Sequence, residues 1–175
     1  MKKETNKHIL KIKQLYPDAS EIYRPSVLGC IHDIYIVKKD NDKFVFRFSD
    51  EQTAIHNLYV SRLLLKNSIP VPNIEIYNMD SEYCEIYPFI EGKTLHEKYE
   101  EQKLSKGQIE NIYNQLYDIC CRLSKIPTKE FDHLNRTAAA SDRFFQIMNM
   151  APMVVGHSDL HDKNILVDEN NNVFG

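Results

Sequence analysis

The apolar patterning predicts an α+β chain of two lobes, strand-rich in its first half and helical in its second. Three observations carry this. Phe44, Phe46 and Phe48 alternate with Val45 and Arg47, the period of two that marks a strand with unlike faces. Ile109, Ile112, Leu116, Ile119 and Leu123 recur at spacings of 3, 4, 3 and 4, the stripe of an amphipathic helix. Between them residues 88–95 (PFIEGKTL) fit neither period and read as a connector. With 175 residues the chain has room for one compact domain or two small lobes, given about one domain per 150 residues.

The elements follow in order. Ile9, Ile12 and Tyr16 stand at helical spacing, and Pro17 stops that helix. Residues 22–48 read as β structure: an apolar run from Ile34 to Val37, a turn at Asp40-Asn41-Asp42, then the phenylalanine strand, together a hairpin. Arg47 is the strand's lone charge and points away from the aromatic face, either as a solvated edge residue or as a cation with a function. Ser49-x-x-Gln52 is a capping box for a helix over about 53–66, with Ile55, Leu58, Tyr59 and Leu63 as its apolar stripe. The helix ends before Pro70-Val71-Pro72. Ile74–Tyr77 and Tyr83–Tyr87 then form a second strand pair around Asn78-Met79-Asp80-Ser81. Ser105-x-x-Gln108 is a second capping box, opening the striped helix that Pro127 closes. A weaker helix is expected near 137–149, around Phe144, Phe145 and Met148, and Asn170-Asn171-Asn172 reads as a hairpin turn.

Composition narrows the function. A chain 42% hydrophobic and 27% charged, with 5 Gly and 7 Pro, can bury a core and is neither disordered nor low in complexity. Its net charge of −3 gives no field to attract a polyanion, so nucleic acid is not the expected partner. The N-terminal MKKETNKHIL lacks the apolar stretch of a secretory signal. No segment reaches the ~18 apolar residues of a membrane-spanning helix. Cys30, Cys84, Cys120 and Cys121 are spaced for neither disulfides nor zinc. A reduced, cytoplasmic protein without a membrane partner is expected.

The chemistry concentrates in VVGHSDLHDKNILVD (154–168), a dense polar segment between two apolar runs. Asp159 and Asn164 stand five apart, the spacing of the phosphoryl-transfer loop H-x-D-x-x-x-x-N. The residue types suit that chemistry, because a carboxylate orients an incoming hydroxyl and takes its proton, while a neutral amide oxygen coordinates a hard cation. Two other readings stay open from the loop alone. His157, Asp159 and His161 alternate and together form a candidate zinc or other transition-metal set, as in a metallohydrolase. Alternatively His157 is a structural histidine bonded to backbone, with Asp162 and Lys163 as solvated loop charges.

The run His157-Ser158-Asp159-Leu160-His161-Asp162-Lys163-Asn164-Ile165-Leu166-Val167-Asp168 resembles the H-G-D-L-H-x-x-N-I-L-V-D signature of the aminoglycoside phosphotransferase and choline-kinase-like family, small-molecule relatives of the protein kinases. The resemblance extends over nearly the whole chain. FVFRFS (44–49) is similar to the family's third strand, LLLKNSIPVPNI (63–74) to its helix exit, EIYPFIEGKTL (85–95) to its hinge before G-x-x-L, and KIKQLYPDASEI (11–22) to the N-terminus of the bacterial aminoglycoside kinases.

The resemblance implies a protein-kinase-like two-lobed fold: an antiparallel-sheet N-lobe over 1–87, a hinge over 88–95, and a mostly helical, incomplete C-lobe over 96–175 with its catalytic loop at 156–168. It implies an ATP- or GTP-dependent, Mg2+-requiring phosphotransferase acting on the hydroxyl of a small molecule, first of all an aminoglycoside antibiotic. Asp159 is then the catalytic base and Asn164 a magnesium ligand. Arg47 reaches the nucleotide phosphates, and the loop around Gly29 covers them. The hinge is Tyr87-Pro88-Phe89-Ile90, with the Pro88 carbonyl and the Ile90 N–H on the purine edge. The chain departs from the family pattern at four places. The loop Leu28-Gly29-Cys30-Ile31-His32-Asp33 has one glycine; Ser158 replaces a glycine; and the helix glutamate expected near 57–59, the partner of the strand-three basic residue, is replaced by Asn57, Leu58 and Tyr59. The principal magnesium-binding Asp falls about three residues beyond Gly175 in the family pattern. An alternative expectation is therefore an inactive, truncated kinase-like fragment that binds nucleotide weakly or not at all.

Overall fold

A computed structural model describes residues 2–25, 33–80, 82–101, 104–131 and 161–174. The chain divides into two units, Met1–Leu63 with Pro72–Ile90, and Leu64–Val71 with Glu91–Gly175.

The first unit is a five-stranded antiparallel sheet with helix α1 (Lys2–Leu15) and all but the last three residues of helix α2 (Glu51–Lys66). Its strands are β1 (Glu21–Tyr23), β2 (Asp33–Lys39), β3 (Asp42–Ser49), β4 (Glu75–Asn78) and β5 (Tyr83–Pro88), in the order β1-β2-β3-β5-β4. Strands β2 and β3 form the expected hairpin, with Lys39 opposite Asp42. Its tight turn holds Asp40 at φ 54°, a left-handed conformation that Asp tolerates better than most residues. The alternation places Phe46 and Phe48 in one core with Tyr35, Val37, Cys84 and Ile86, and Ile12 of α1 is fully buried against them. Tyr16, just past α1, meets Phe44 and Phe46 edge to face at centroid distances of 5.5 and 5.1 Å.

Helix α1 is also tied to the β4–β5 connection by charge. The Glu82 carboxylate accepts from Lys11 Nζ at 2.6 Å and Lys7 Nζ at 2.9 Å, and lies 2.9 Å from His8 Nε2. Burial pushes this carboxyl up, but the Lys11, Lys7 and His8 hydrogen bonds outweigh it and hold the group at about 2. Lys11 donates in addition to the Met79 carbonyl, and His8 stacks on Phe48 at 4.1 Å.

Two expectations for α2 need correction. Its cap is Asp50, not Ser49: the Thr53 N–H and hydroxyl donate to the two Asp50 carboxylate oxygens at 2.8 and 2.7 Å. Those bonds hold the Asp50 carboxyl below its ordinary value. The expected stripe holds at Leu63, which is buried, but not at Ile55, which is 49% exposed, and Ala54 and Ser61 are buried as well. The face of the sheet opposite the aromatic core carries charge at positions 47 and 85, and the helix meets it with a polar side chain, Asn57, which donates to Glu85.

The second unit holds β6 (Lys93–Thr94), α3 (Leu95–Glu100), α4 (Lys106–Leu123), a 3-10 turn (Thr128–Phe131), β7 (Leu166–Val167) and β8 (Val173–Phe174), with sheet order β6-β7-β8. The α4 capping box forms as expected: Ser105 N–H donates to Gln108 Oε1 at 2.8 Å and Gln108 N–H to Ser105 Oγ at 3.4 Å. Ile112 and Leu116 join Leu95, Ile165, Val167 and Val173 in a second core. The connector starts a helix of its own, since Thr94 and Glu97 make a further capping box at α3. The triple-asparagine turn also forms, with Asn171 at φ 63°. The helix expected near 137–149 lies outside the described residues.

Candidate functional site

In the first unit the site grows from β3, the middle strand of the sheet. Because the phenylalanines take one face, Arg47 takes the other, and register sets it directly opposite Glu85 of β5. It is therefore not an edge residue. Glu85 is fully buried, and its carboxylate accepts from Ser49 Oγ at 2.8 Å and from Asn57 Nδ2 at 3.1 and 3.0 Å, one bond to each oxygen. Arg47 Nε lies 3.9 Å from Glu85 Oε1. Among the described residues this nitrogen is buried and has no hydrogen-bond partner, while the Arg47 side chain as a whole is 25% exposed. The positions expected to hold a helix glutamate, Asn57, Leu58 and Tyr59, carry no charge, and the carboxylate beside Arg47 comes from the neighbouring strand.

The segment Tyr87-Pro88-Phe89-Ile90 closes the first unit. Phe89 N–H donates to the Lys43 carbonyl at 2.8 Å. Phe44 and Pro88, one step along the register, are then a non-hydrogen-bonded pair, so the Pro88 carbonyl points away from β3. A proline fits there because the β3 ladder asks nothing of its nitrogen, and β4 pairs only as far as Ile86. Among the described residues the Ile90 N–H makes no hydrogen bond. One acceptor and one donor of the backbone thus remain for a planar ligand edge.

In the second unit His161-Asp162-Lys163-Asn164 makes a turn, closed by Asn164 N–H on the His161 carbonyl at 2.9 Å. Lys163 N–H donates to His161 Nδ1 at 3.2 Å, which leaves Nε2 to carry the proton in the neutral ring. His96 of α3 braces this turn twice, its N–H on the Asp162 carbonyl at 3.1 Å and its Nδ1 2.9 Å from Asp162 Oδ2. The His96 bond holds the Asp162 carboxyl below the usual carboxylate range. The Asn164 side chain is exposed, and the next residue, Ile165, anchors the turn in the core, its carbonyl accepting from Leu95 N–H at 2.8 Å. Asp168 then organises the hairpin by accepting from Asn170 and Asn172 N–H at 2.9 and 2.8 Å. Burial pushes its carboxyl up, and the Asn172 and Asn170 bonds bring it below its ordinary value.

Gly92 joins the chain after residue 90 to this hairpin: a Cβ there would lie 2.9 Å from the Val167 carbonyl oxygen. The Gly92-x-x-Leu95 spacing thus has a packing cause, close backbone approach followed by a buried Leu95.

Of the residues expected in the site, Arg47, Tyr87, Pro88, Phe89 and Ile90 lie in the first unit and Asn164 in the second. Asp159 and Gly29 lie outside the described residues, as do His157 and Ser158. For a divalent cation the described loop offers the Asn164 amide oxygen, a hard donor of the right kind. For phosphate the first unit offers the Arg47 guanidinium. Sequence reasoning missed Glu85, Ser49, His96 and Asp162 as supporting groups. Among the described residues no three His, Cys, Asp or Glu side chains gather to hold a metal ion, and no helix is long and apolar enough to cross a membrane.

No protein-family profile matches the sequence, and no curated protein matches it either. Solved structures do. The chain superposes on spectinomycin phosphotransferase in complex with ADP and spectinomycin with a TM-score of 0.64 at 13% identity, over 96% of this chain and 67% of that one. Aminoglycoside-3'-phosphotransferase of type VIII gives 0.59 at 14% identity, over 96% and 73%. Choline kinase from Streptococcus pneumoniae gives 0.59 at 11% identity, over 98% and 67%. This chain therefore has the protein-kinase-like fold, with an antiparallel-sheet lobe and helices, and spans about two thirds of the length of the spectinomycin and choline kinases.

Proposed function

We propose that this chain transfers the γ-phosphoryl group of ATP or GTP to a hydroxyl of a small molecule, with an aminoglycoside the first acceptor to try. The observation that carries the reading is Arg47, a cation in the middle strand beside a fully buried carboxylate, with terminal nitrogens left to reach an anion. A guanidinium so placed suits phosphate oxygens, to which it donates from a planar fork. The fold supports the same reading, because the similar structures bear phosphotransferase and kinase names.

In this reading Arg47 orients the nucleotide phosphates and the loop at Gly29 covers them. The Pro88 carbonyl and Ile90 N–H fix the purine edge, flanked by Tyr87 and Phe89. Asp159 receives the proton of the acceptor hydroxyl as its oxygen bonds to the γ-phosphorus and the bond to the β–γ bridging oxygen breaks. Asn164 offers its amide oxygen to magnesium, and His96 with Asp162 holds the turn that presents it. Bound magnesium supplies charge neutralisation on the phosphates. Acceptor, nucleotide and metal are tested together by following label from [γ-32P]ATP and GTP into a panel of aminoglycosides, choline and sugars. Transfer to a panel member is expected, and Asp159→Asn should lower kcat by orders of magnitude with nucleotide affinity nearly intact. Unchanged turnover in that variant would remove the phosphotransfer assignment.

A further inference from the structure

The resemblance implies a helix carboxylate near 57–59 as partner of the strand-three basic residue, where this chain has Asn57, Leu58 and Tyr59. We infer that Glu85 is the positioning residue for Arg47, so that the phosphate-directed cation is set by the sheet and not by helix α2. This rests on the phosphotransferase reading above.

Arg47 and Glu85 are directly opposed in a ladder that runs from Phe44↔Pro88 to Ser49↔Tyr83. Facing side chains in such a pair are held at neighbouring distance by the ladder's own hydrogen bonds. Separating them requires opening β3 from β5. Glu85 is also oriented on its own account. As a fully buried carboxylate it needs donors on its oxygens, and Ser49 Oγ and Asn57 Nδ2 supply them. With both oxygens so fixed, the charge of Oε1 stands 3.9 Å from the buried Arg47 Nε, which has no other partner among the described residues. The terminal guanidinium nitrogens are left to reach solvent.

The contribution of α2 is of a different kind. Asn57 is a neutral donor, so a displaced helix loses hydrogen bonds to Glu85 but leaves Glu85 opposite Arg47. A kinase-like site whose ion pair spans helix and strand is broken when the helix swings away. Here the pair persists as long as the sheet is folded, and the cation is held ready without a helix-borne switch.

The test compares binding of Mg-ATP and of adenosine, which lacks the phosphates, by isothermal titration calorimetry on the whole chain. Glu85→Gln removes the charge yet keeps hydrogen bonding, since the Asn57 amide can turn to accept from it. It should weaken Mg-ATP at least 10-fold and leave adenosine within 2-fold. Asn57→Ala should weaken Mg-ATP less than 3-fold. Should Glu85→Gln not fold, Glu85→Asp keeps the buried charge but withdraws it by one methylene, and must itself weaken Mg-ATP and not adenosine. Equal losses for both ligands, no loss at Glu85, or a loss at Asn57→Ala as large as at Glu85→Gln would overturn the inference while leaving nucleotide binding in place. Absence of Mg-ATP binding by the unaltered chain would instead overturn the phosphotransferase reading, and this inference with it.

Discussion

Arg47 and Glu85 are unequally buried, the arginine side chain a quarter exposed and the glutamate side chain fully enclosed. The two partners therefore respond differently to loss of the other. Arg47→Met leaves a buried carboxylate with only neutral donors, an arrangement that costs more than the pair itself contributes. We expect a loss of about 2–3 kcal/mol in urea unfolding, at the low end for a broken buried pair because Arg47 is partly solvated. Arg47→Met/Glu85→Gln should recover most of it. A double variant no more stable than the single one would mean that Glu85 tolerates burial without a cation. The two halves of the site were legible to different degrees. The Asp159–Asn164 spacing is local and visible in the sequence, as is Arg47, the lone charge among the alternating residues 44–48. Glu85 is the lone charge of β5, but only register, set by contacts about forty residues apart, puts it opposite Arg47.

Short-range hydrogen bonding decides how well each element could be read. The α4 box at Ser105 and Gln108 forms as its spacing predicts because neither side chain has a competing partner among the described residues. The same spacing at Ser49 and Gln52 misleads by one residue, since the Ser49 hydroxyl is taken by Glu85 and Asp50 caps α2 in its place. Helix α3 carries the Thr94-x-x-Glu97 signal but, at 6 residues, is too short to show an apolar period. The α2 stripe misleads at Ile55, because amphipathic spacing reports an apolar neighbour and this helix also meets the charged strand pair through Asn57. The connection after residue 90 makes the sharpest prediction at this scale. A Cβ on Gly92 meets the backbone oxygen of Val167, which cannot rotate away as a side chain would. Gly92→Ala should lower stability by roughly 1–3 kcal/mol, the usual cost of overpacking. Urea denaturation checks this, and an unchanged midpoint would mean that β6 and β7 separate without penalty.

Among the described residues of the whole molecule, the carboxyls that folding clearly shifts share one sign. Those of Asp50 and Glu82 in the first unit and of Glu97, Asp162 and Asp168 in the second are all lowered by folding. A group with a depressed folded value binds fewer protons folded than unfolded across the interval between its two values, so stability rises with pH there. It is fully present above the unfolded value and lost as pH falls through the folded one. Both units should therefore resist unfolding from neutrality down to about pH 5 and weaken below it. Glu82 makes the argument testable, because its interval runs from 4.5 to about 2. Each tenfold change in proton affinity between the folded and unfolded chain is equivalent to about 1.4 kcal/mol. Discounted because the side chain is a fifth exposed, the share of Glu82 is about 2 kcal/mol. Glu82→Gln should be less stable than the unaltered chain by that amount at pH 7, with the gap narrowing steadily below pH 4.5 as the native carboxylate takes up its proton. General self-repulsion of an increasingly positive molecule acts on both proteins almost alike and does not close the gap. Thermal unfolding of the pair between pH 2.5 and 7 measures it, and a gap independent of pH would show that Lys7, His8 and Lys11 hold residue 82 by shape and hydrogen bonding, without help from its charge.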